Sequence, residues 1–388
     1  MSLLFRSVSS LPMPVSPDRT GQRSSSASSS DAMRQSVVWS SLMLRASVVS
    51  LMPVDVFRRV PGGSPANVNP PTVLVEPSSF AEGHPETIAD WMFASQLSLD
   101  AHGNAFGEIT ARDSQELPAR IELVPAEDVR VRIVRRRIVE YRFGGVVIPA
   151  RNVWHERQNL TAGVPVGLSP IVHAALAVAT SKAAREFSAE WFGGSAIPGS
   201  HLKNTAKKLE PAETDAVKAR FAQTVRSGEV FVTGSDWTFS PLQAKAAEAG
   251  LLEAIRATDL DLCRYFGMAP SMVGVSADGG SSITYQNITQ KNLDFLTTYM
   301  GPVLKRREDA LSTLTARPRF VKLNRSSFLA MDAKTRAELL AARIQSRTLT
   351  PDQARMIEDE PALAESDYAQ FDRLFGNPNK TTPQKGQA

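Results

Sequence analysis

Five histidines, one cysteine and 40 carboxylates are the groups through which this chain could hold a metal or activate a nucleophile. His84, His102, His155, His173 and His201 show no metal-pair spacing, and no His-Glu-x-x-His run occurs. Cys263 lies between Leu262 and Arg264 with nothing to suggest a nearby histidine, the context of a structural thiol rather than a nucleophile. As the only cysteine it can form neither an internal disulfide nor a zinc cage, so no oxidising compartment is implied. Neither Gly-Lys-Ser nor Gly-Lys-Thr occurs, so there is no phosphate-cradling loop of the ATPase kind. Gly274-Val275-Ser276-Ala277 continues with Asp278, which breaks a nucleophile elbow. Asp259 and Asp261 are two apart on an expected helix and face different directions, a poor acid/base pair. No catalytic, metal or cofactor site is expected.

The chain has 388 residues, enough for two or three compact units. Hydrophobic residues make up 42% and charged residues 22%, the balance of a globular protein. The net charge of +4 is too small an excess for a protein that grips nucleic acid tightly. The best apolar run, 171–180, falls short of the roughly 20 residues that cross a bilayer, so no membrane partner is expected. Residues 1–16 lack the basic-then-apolar order of a secretory signal, which points to a soluble chain made inside the cell.

The elements that must position any function follow from periodicity and breakers. Serine runs in residues 1–30 predict a mobile arm. Residues 31–60 read as a helix then a strand, followed by the loop Pro61-Gly62-Gly63-Ser64-Pro65. Ile88, Trp91, Met92 and Leu99 recur at helical spacing. Strands are expected at 105–110, 121–124, 129–134 and 138–143, with Arg135, Arg136 and Arg137 forming a turn. Arg130 and Arg132 share one strand face, either a solvated basic surface or a contact for nucleic acid or an acidic partner. Ser169-Pro170 starts an Ala-rich helix to Phe192 that Gly193-Gly194 stops.

A compact unit follows, with a strand at 196–202, a helix at 211–226 and strands at 229–233 and 237–242. A second Ala-rich helix, 244–266, ends at Gly267. Two long helices thus bracket a small α/β module, and their many alanines permit close approach to each other or to a neighbouring subunit. Residues 274–282 form a Gly/Ser-rich flexible loop, followed by a long helix over 284–314 that Pro302 should kink. A strand at 319–323 precedes two helices, one capped by Asp332 and one opened by the capping box Thr350-Pro351-Asp352-Gln353. Residues 373–388 read as a disordered tail.

The order of motifs resembles the portal (head-tail connector) proteins of tailed double-stranded DNA bacteriophages. Gly167-Leu168-Ser169-Pro170-Ile171 is similar to that family's opening of a first stem helix. Trp191-Phe192-Gly193-Gly194-Ser195-Ala196-Ile197-Pro198-Gly199 resembles its exit. Phe266-Gly267-Met268-Ala269-Pro270-Ser271-Met272-Val273-Gly274 is similar to the family's Phe-Gly-Val-Pro-Pro segment, with Met268 and Ala269 replacing the usual Val and Pro. Residues 282–311, with Gly301-Pro302 and Glu308, look like the long helix beyond it. Gly103-Asn104-Ala105-Phe106 and Leu123-Val124-Pro125 resemble wing strands. The likeness spans roughly residues 35–365.

The resemblance implies an α+β fold of portal-like architecture: a mixed α/β wing, a two-helix stem, a small α/β clip, a long kinked tunnel helix and a short helical crown. It places an arm at 1–30, the wing at 31–167, and the stem at 168–193 and 243–267. The clip falls at 194–242. The tunnel loop, long helix and wing return strand occupy 268–330, the crown 331–365 and a flexible tail 366–388. It implies a homododecameric ring at one capsid vertex of the virion, assembled in the host cytoplasm, that passes double-stranded DNA in packaging and ejection without catalysing a reaction. Implied partners are the terminase large subunit, head-tail adaptor proteins and the major capsid or scaffolding protein. DNA-channel candidates are Ser276, Asp278, Ser281, Ser282 and Thr284 on the loop, with Lys305, Arg306 and Arg307 on the long helix. Clip candidates for a partner or DNA are Lys203, Lys207 and Lys208. For the basic residues an ordinary solvated patch is the alternative. At the level of the whole chain, the competing readings are a phage-associated nuclease or protease and a monomeric DNA-binding protein.

Overall fold

Alternating strand faces and helical apolar spacing lead to five small sheets and twelve α-helices among the described residues. The computed structural model describes residues 6–7, 29–192, 200–204, 210–227, 236–241, 245–275, 285–325, 333–358 and 360–375. They fall into a larger unit, Met1–Phe328, and a smaller one, Leu329–Ala388.

The larger unit begins with β1 (Arg6–Ser7), α1 (Ser29–Met33) and α2 (Ser36–Ser50). Then come β2 (Val54–Arg58), β3 (Ala66–Val68), β4 (Ser78–Ala81), β5 (His84–Glu86) and α3 (Ile88–His102). Thr87 caps α3 by accepting from the Asp90 N–H, and Gly103 closes it in the left-handed conformation at φ 72°. The β-rich stretch is β6 (Asn104–Arg112), β7 (Pro118–Val124), β8 (Val129–Val134), β9 (Arg137–Phe143), β10 (Val146–Ile148) and β11 (Val153–Arg157). It forms two sheets, ordered β11-β6-β7 and β1-β8-β9-β10. Val129, Val131 and Phe143 face inward to meet Phe106, Ala126 and Val166. Trp91 of α3 packs on Trp154 at 4.8 Å between centroids and donates its indole N–H to the Ile121 carbonyl.

The helical part holds α4 (Pro170–His173), α5 (Ala175–Phe192), β12 (Ser200–Asn204), α6 (Pro211–Ser227), β13 (Trp237–Pro241) and α7 (Lys245–Tyr265). β12 and β13 pair antiparallel. α8 (Tyr285–Asp294), a π-helical stretch Phe295–Met300, α9 (Gly301–Ser312) and β14 (Arg319–Leu323) complete the unit. β14 joins β2 with Val321 opposite Val56, so distant parts of the chain share one sheet.

The smaller unit holds α10 (Ala333–Gln345), α11 (Pro351–Ile357) and α12 (Glu365–Phe375). Its capping box forms as the spacing predicts, with Thr350 and Gln353 exchanging bonds. Arg336 pairs with Glu358 at 2.6 Å, and the Tyr368 hydroxyl donates to Asp352.

Four expectations change. Arg6–Ser7 are strand rather than arm, because the edge of β8 offers backbone groups that a passing segment can pair with. Residues 29–30 likewise belong to α1. The tail expected from residue 366 is helical to Phe375: Tyr368, Phe371 and Leu374 lie three apart on one face, and Asp367 accepts from the Ala364 N–H at the start. The long helix of 284–314 is two α-helices joined by a π-helical stretch just before Gly301-Pro302, which absorbs the disruption that proline imposes. The Ala-rich helix from Pro170 is interrupted at Ala174. The strand expected at 229–233, most of that at 196–202 and the Gly193-Gly194 stop lie outside the described residues.

Gly103 and Gly167 are the tightest backbone approach. A Cβ on Gly167 would sit 1.9 Å from the Gly103 carbonyl oxygen and 2.2 Å from that of Gln158. One on Gly103 would sit 2.2 Å from the Leu168 carbonyl oxygen. Gly167→Ala should therefore cost about 3 kcal/mol through forced backbone displacement. Gly63→Ala, whose Cβ would meet only Val60 at 3.5 Å, should be near neutral. Urea unfolding midpoints of the two variants measure the difference.

Candidate functional site

α5 and α7 run together because small residues and matched charges line their contact. Arg185 of α5 pairs with Asp259 of α7 at 3.1 Å. Below that pair, Ile171, Ala174 and Val178 pack with Leu262, Cys263 and Phe266, and against Val38 and Leu42 of α2. Burial, then the Asp259 charge, pushes the Cys263 thiol up to about 11, the behaviour of a core residue and not of a nucleophile. Lys182 reaches Asp31 at 2.8 Å and Ser181 donates to Gln35, tying α5 to the segment ahead of α2. Asp261 turns the other way and pairs with Arg264.

The start of this helical pair is held by a buried polar knot. The Asn104 amide donates to the carbonyls of His102 and Gly167, both at 2.9 Å. Its oxygen lies 2.8 Å from the Gly167 N–H and 3.0 Å from His155 Nε2. Gln158 N–H donates to the Gly103 carbonyl, and Ser169, which also caps α4, donates to Ala101. Two segments singled out by sequence, Gly103-Asn104 and Gly167-Leu168-Ser169-Pro170, are thus one structural feature. His155 stacks on Phe106 and lies 3.2 Å from the Tyr141 hydroxyl. Burial, reinforced by Arg157, lowers its pKa to about 3, so the ring is neutral.

Two buried ion pairs radiate from this region. Arg45 of α2 reaches Asp100 at 2.9 Å and the Gly267 carbonyl at 3.0 Å, while Gln96 and Gln158 also donate to Asp100. Arg307 of α9 reaches Glu156 of β11 at 2.6 Å and Ser95 at 2.8 Å, beneath Trp91. Burial pushes the Glu156 carboxyl up to about 7 against the opposing pull of Arg307.

The site residues expected from sequence divide accordingly. Arg307 is only 1% exposed, so its assignment to a DNA-facing surface is corrected: the guanidinium is committed to Glu156 inside the protein. Lys305 is exposed and pairs with Asp309 one turn along. Arg306 is exposed at the rim of a cavity of about 270 Å³ that it shares with Arg45, Asp100, Gly267, Tyr299 and Pro302. Desolvation and the Arg45 charge lower its pKa. Lys203 is exposed on β12. Ser276, Asp278, Ser281, Ser282, Thr284, Lys207 and Lys208 lie outside the described residues. Among the described residues no cluster of three or more His, Cys, Asp or Glu could hold a metal, and no helix is long and apolar enough to cross a membrane. Sequence reasoning missed Asn104, Arg45 and Glu156 as organising residues. For Asn104 the signal was present, an amide directly after a helix-ending glycine. The ion pairs join residues 55 and 151 positions apart and leave no local trace.

The family model described as "Phage portal protein" matches residues 36–359. The portal protein of Enterobacteria phage HK97 is 22% identical over 350 residues, covering 86% of this chain and 80% of that protein. The crystal structure of an HK97-family phage portal protein from Corynebacterium diphtheriae superposes with a TM-score of 0.58 at 16% identity, over 80% of this chain and all of that one. A chain from the neck of a native gene transfer agent particle, computed with C12 symmetry, gives 0.58 at 16% identity, over 88% and 95%.

Arg307→Met should cost about 3 to 5 kcal/mol by stranding Glu156, whereas Arg306→Gln should stay within about 0.5 kcal/mol. Chemical denaturation of both variants tests the division between buried and exposed cations. His155 makes a second expected outcome. Its native pKa lies below the unfolded value, so its contribution is complete above about pH 6.5 and is lost as pH falls toward 3. Across that window the stability of His155→Gln should depend on pH less steeply than the wild type, by up to about 1.4 kcal/mol per pH unit.

Proposed function

Because the chain belongs to the phage portal protein family, we propose that its copies close into a ring, normally a dodecamer, at one vertex of a phage particle. The bore of that ring passes double-stranded DNA during packaging and ejection. In this reading residues 31–167 with the return strand form the wing, and 168–193 and 243–267 the stem. Residues 194–242 form the clip, 268–330 the tunnel loop and long helix, and 331–365 the crown. The family is structural, and we extend that to this chain: the ring acts as a conduit while a terminase motor docked on the clip supplies the work. Head-tail adaptors would follow the motor, and the capsid or scaffolding protein would hold the wing. Assembly takes place in the host cytoplasm and the finished ring stays in the virion.

The observation that carries this reading is the outward face of α5. Leu176, Thr180, Ala183 and Phe187 recur at helical spacing and are all exposed, with Leu176 72% and Phe187 51% accessible. This stripe lies on a helix whose other side is already occupied by α7 and α2. A ring needs a patch on each copy that meets a different patch on the next, with a rotation that closes. A stiff two-helix pair with solvent-exposed apolar side chains such as Leu176 supplies one half of such a contact. Charge supports the conduit role as well. At +4 over 388 residues the chain is nearly balanced, and each added phosphate contact would slow sliding by adding salt-sensitive affinity. Lys305 and Arg306, with Ser276, Asp278, Ser281, Ser282 and Thr284 ahead of them in the chain, are the proposed channel-facing groups. Lys203, Lys207 and Lys208 are the proposed clip contacts.

Native mass spectrometry and negative-stain images of the purified chain should show a discrete ring with an open centre. Leu176→Asp/Phe187→Asp should dissociate it while leaving the circular dichroism spectrum of the monomer unchanged. A wild type that stays monomeric at every concentration and in particles would overturn the proposal.

A further inference from the structure

The hairpin β8–β9 carries a charge pattern that the proposed channel and clip groups leave out. Between residues 129 and 143 there are six arginines, one glutamate and no lysine. Val129, Val131 and Phe143 take the inner face of the sheet. The alternation therefore puts Arg130, Arg132, Glu140 and Arg142 on the outer face. Arg130 stands directly opposite Arg142, a like-charge cross-strand pair that weakens a hairpin. Glu140 is shared, at 3.0 Å from Arg132 and 2.8 Å from Arg142, and the Arg142 hydrogen bond leads in holding its carboxyl below the usual range.

The turn adds a second cost. Arg135 and Arg136 both sit in the left-handed region, at φ 47° and 65°, where Asn-Gly would fit with less strain. Arg130, Arg135, Arg136 and Arg137 are all exposed. A turn that keeps two arginines in an unfavourable conformation, beside a face with opposed arginines, is poorly arranged for the isolated chain and well arranged for a polyanion. Arginine in place of lysine throughout selects for phosphate, because the guanidinium fork binds two phosphate oxygens at once.

We infer that the outer face and tip of the β8–β9 hairpin are a second DNA contact, separate from the bore, that takes the phosphate backbone of the duplex without reading its bases. It rests on the portal reading only in taking double-stranded DNA as the polyanion this chain meets. Backbone contacts of this kind position a duplex and carry no sequence information.

The test uses the full chain and a mixed-sequence duplex of about 30 base pairs, with binding followed by fluorescence anisotropy from roughly 50 to 200 mM salt. Arg135→Gln/Arg136→Gln/Arg137→Gln should weaken binding at low salt about tenfold or more. It should also reduce the slope of log affinity against log salt by about 3, one step of about 0.9 for each phosphate released. The matching triple lysine variant should restore the salt slope but only part of the affinity, since charge is retained while the two-oxygen fork is lost. Unchanged affinity and slope in the glutamine variant overturn the inference. So does a polyglutamate of equal charge that binds as tightly as the duplex, since that result assigns the face to an acidic protein. Native mass spectrometry of the same samples separates this inference from the portal reading. Arginine-dependent binding by a chain that forms no ring supports the hairpin contact and overturns the ring. A ring whose DNA affinity ignores the three substitutions does the reverse.

Discussion

The structure depends on two backbone segments being allowed to touch. Gly103 and Gly167 bring the end of α3 and the entry to α4 so close that neither position has room for a Cβ. Asn104 then satisfies polar backbone groups on both sides of the contact from one side chain. A buried amide with its hydrogen bonds made is worth more than the same bonds at a surface, and a missing partner would cost correspondingly more. The entry point and direction of the paired helices therefore follow from a handful of hydrogen bonds at their base. Ser169, which caps α4 and bonds back to Ala101, transmits that placement directly.

Around this contact, two buried ion pairs fix elements that are far apart in sequence. Arg45–Asp100 attaches α2 to α3 and, through the Gly267 carbonyl, to the end of α7. Arg307–Glu156 attaches α9 to β11. Pairs of this kind add little net stability compared with apolar packing, but stranding either partner is costly. They therefore act as registration marks, selecting one arrangement of helices against one arrangement of strands. The π-helical stretch before Pro302 brings Tyr299 to the rim of the cavity that Arg45 and Arg306 share. The chain leaves the helical pair and enters α9 at a place where both its charge and its helical geometry are unusual.

For a member of the portal family, this division of labour has a mechanical sense. The buried cations hold the subunit together, while Lys305 and Arg306 on α9 and Arg130, Arg135, Arg136 and Arg137 of the β8–β9 hairpin lie at the surface. Two adjacent residues with the same charge, Arg306 and Arg307, end up on opposite sides of that line. α9 turns by about 100° per residue, so Arg307 enters the core against Glu156 while Arg306 stays at an exposed rim beside β11.

The local elements were legible in the sequence to a large degree. Period-two alternation marked β8 and β9, Thr350-Pro351-Asp352-Gln353 marked the start of α11, and Ser169-Pro170 marked α4, because turns, caps and strand faces depend on residues a few positions apart. The motif order from Gly103 to Pro302 was enough to point to the family. What the sequence could not determine was anything set by partners distant along the chain. Whether Arg307 faces water or Glu156, whether Arg6–Ser7 pair with a sheet edge, and that β14 returns to β2 were decided only by the tertiary structure. Such choices depend on desolvation and on which backbone groups remain unpaired once the chain has folded, and neither quantity exists for a residue read with its neighbours alone.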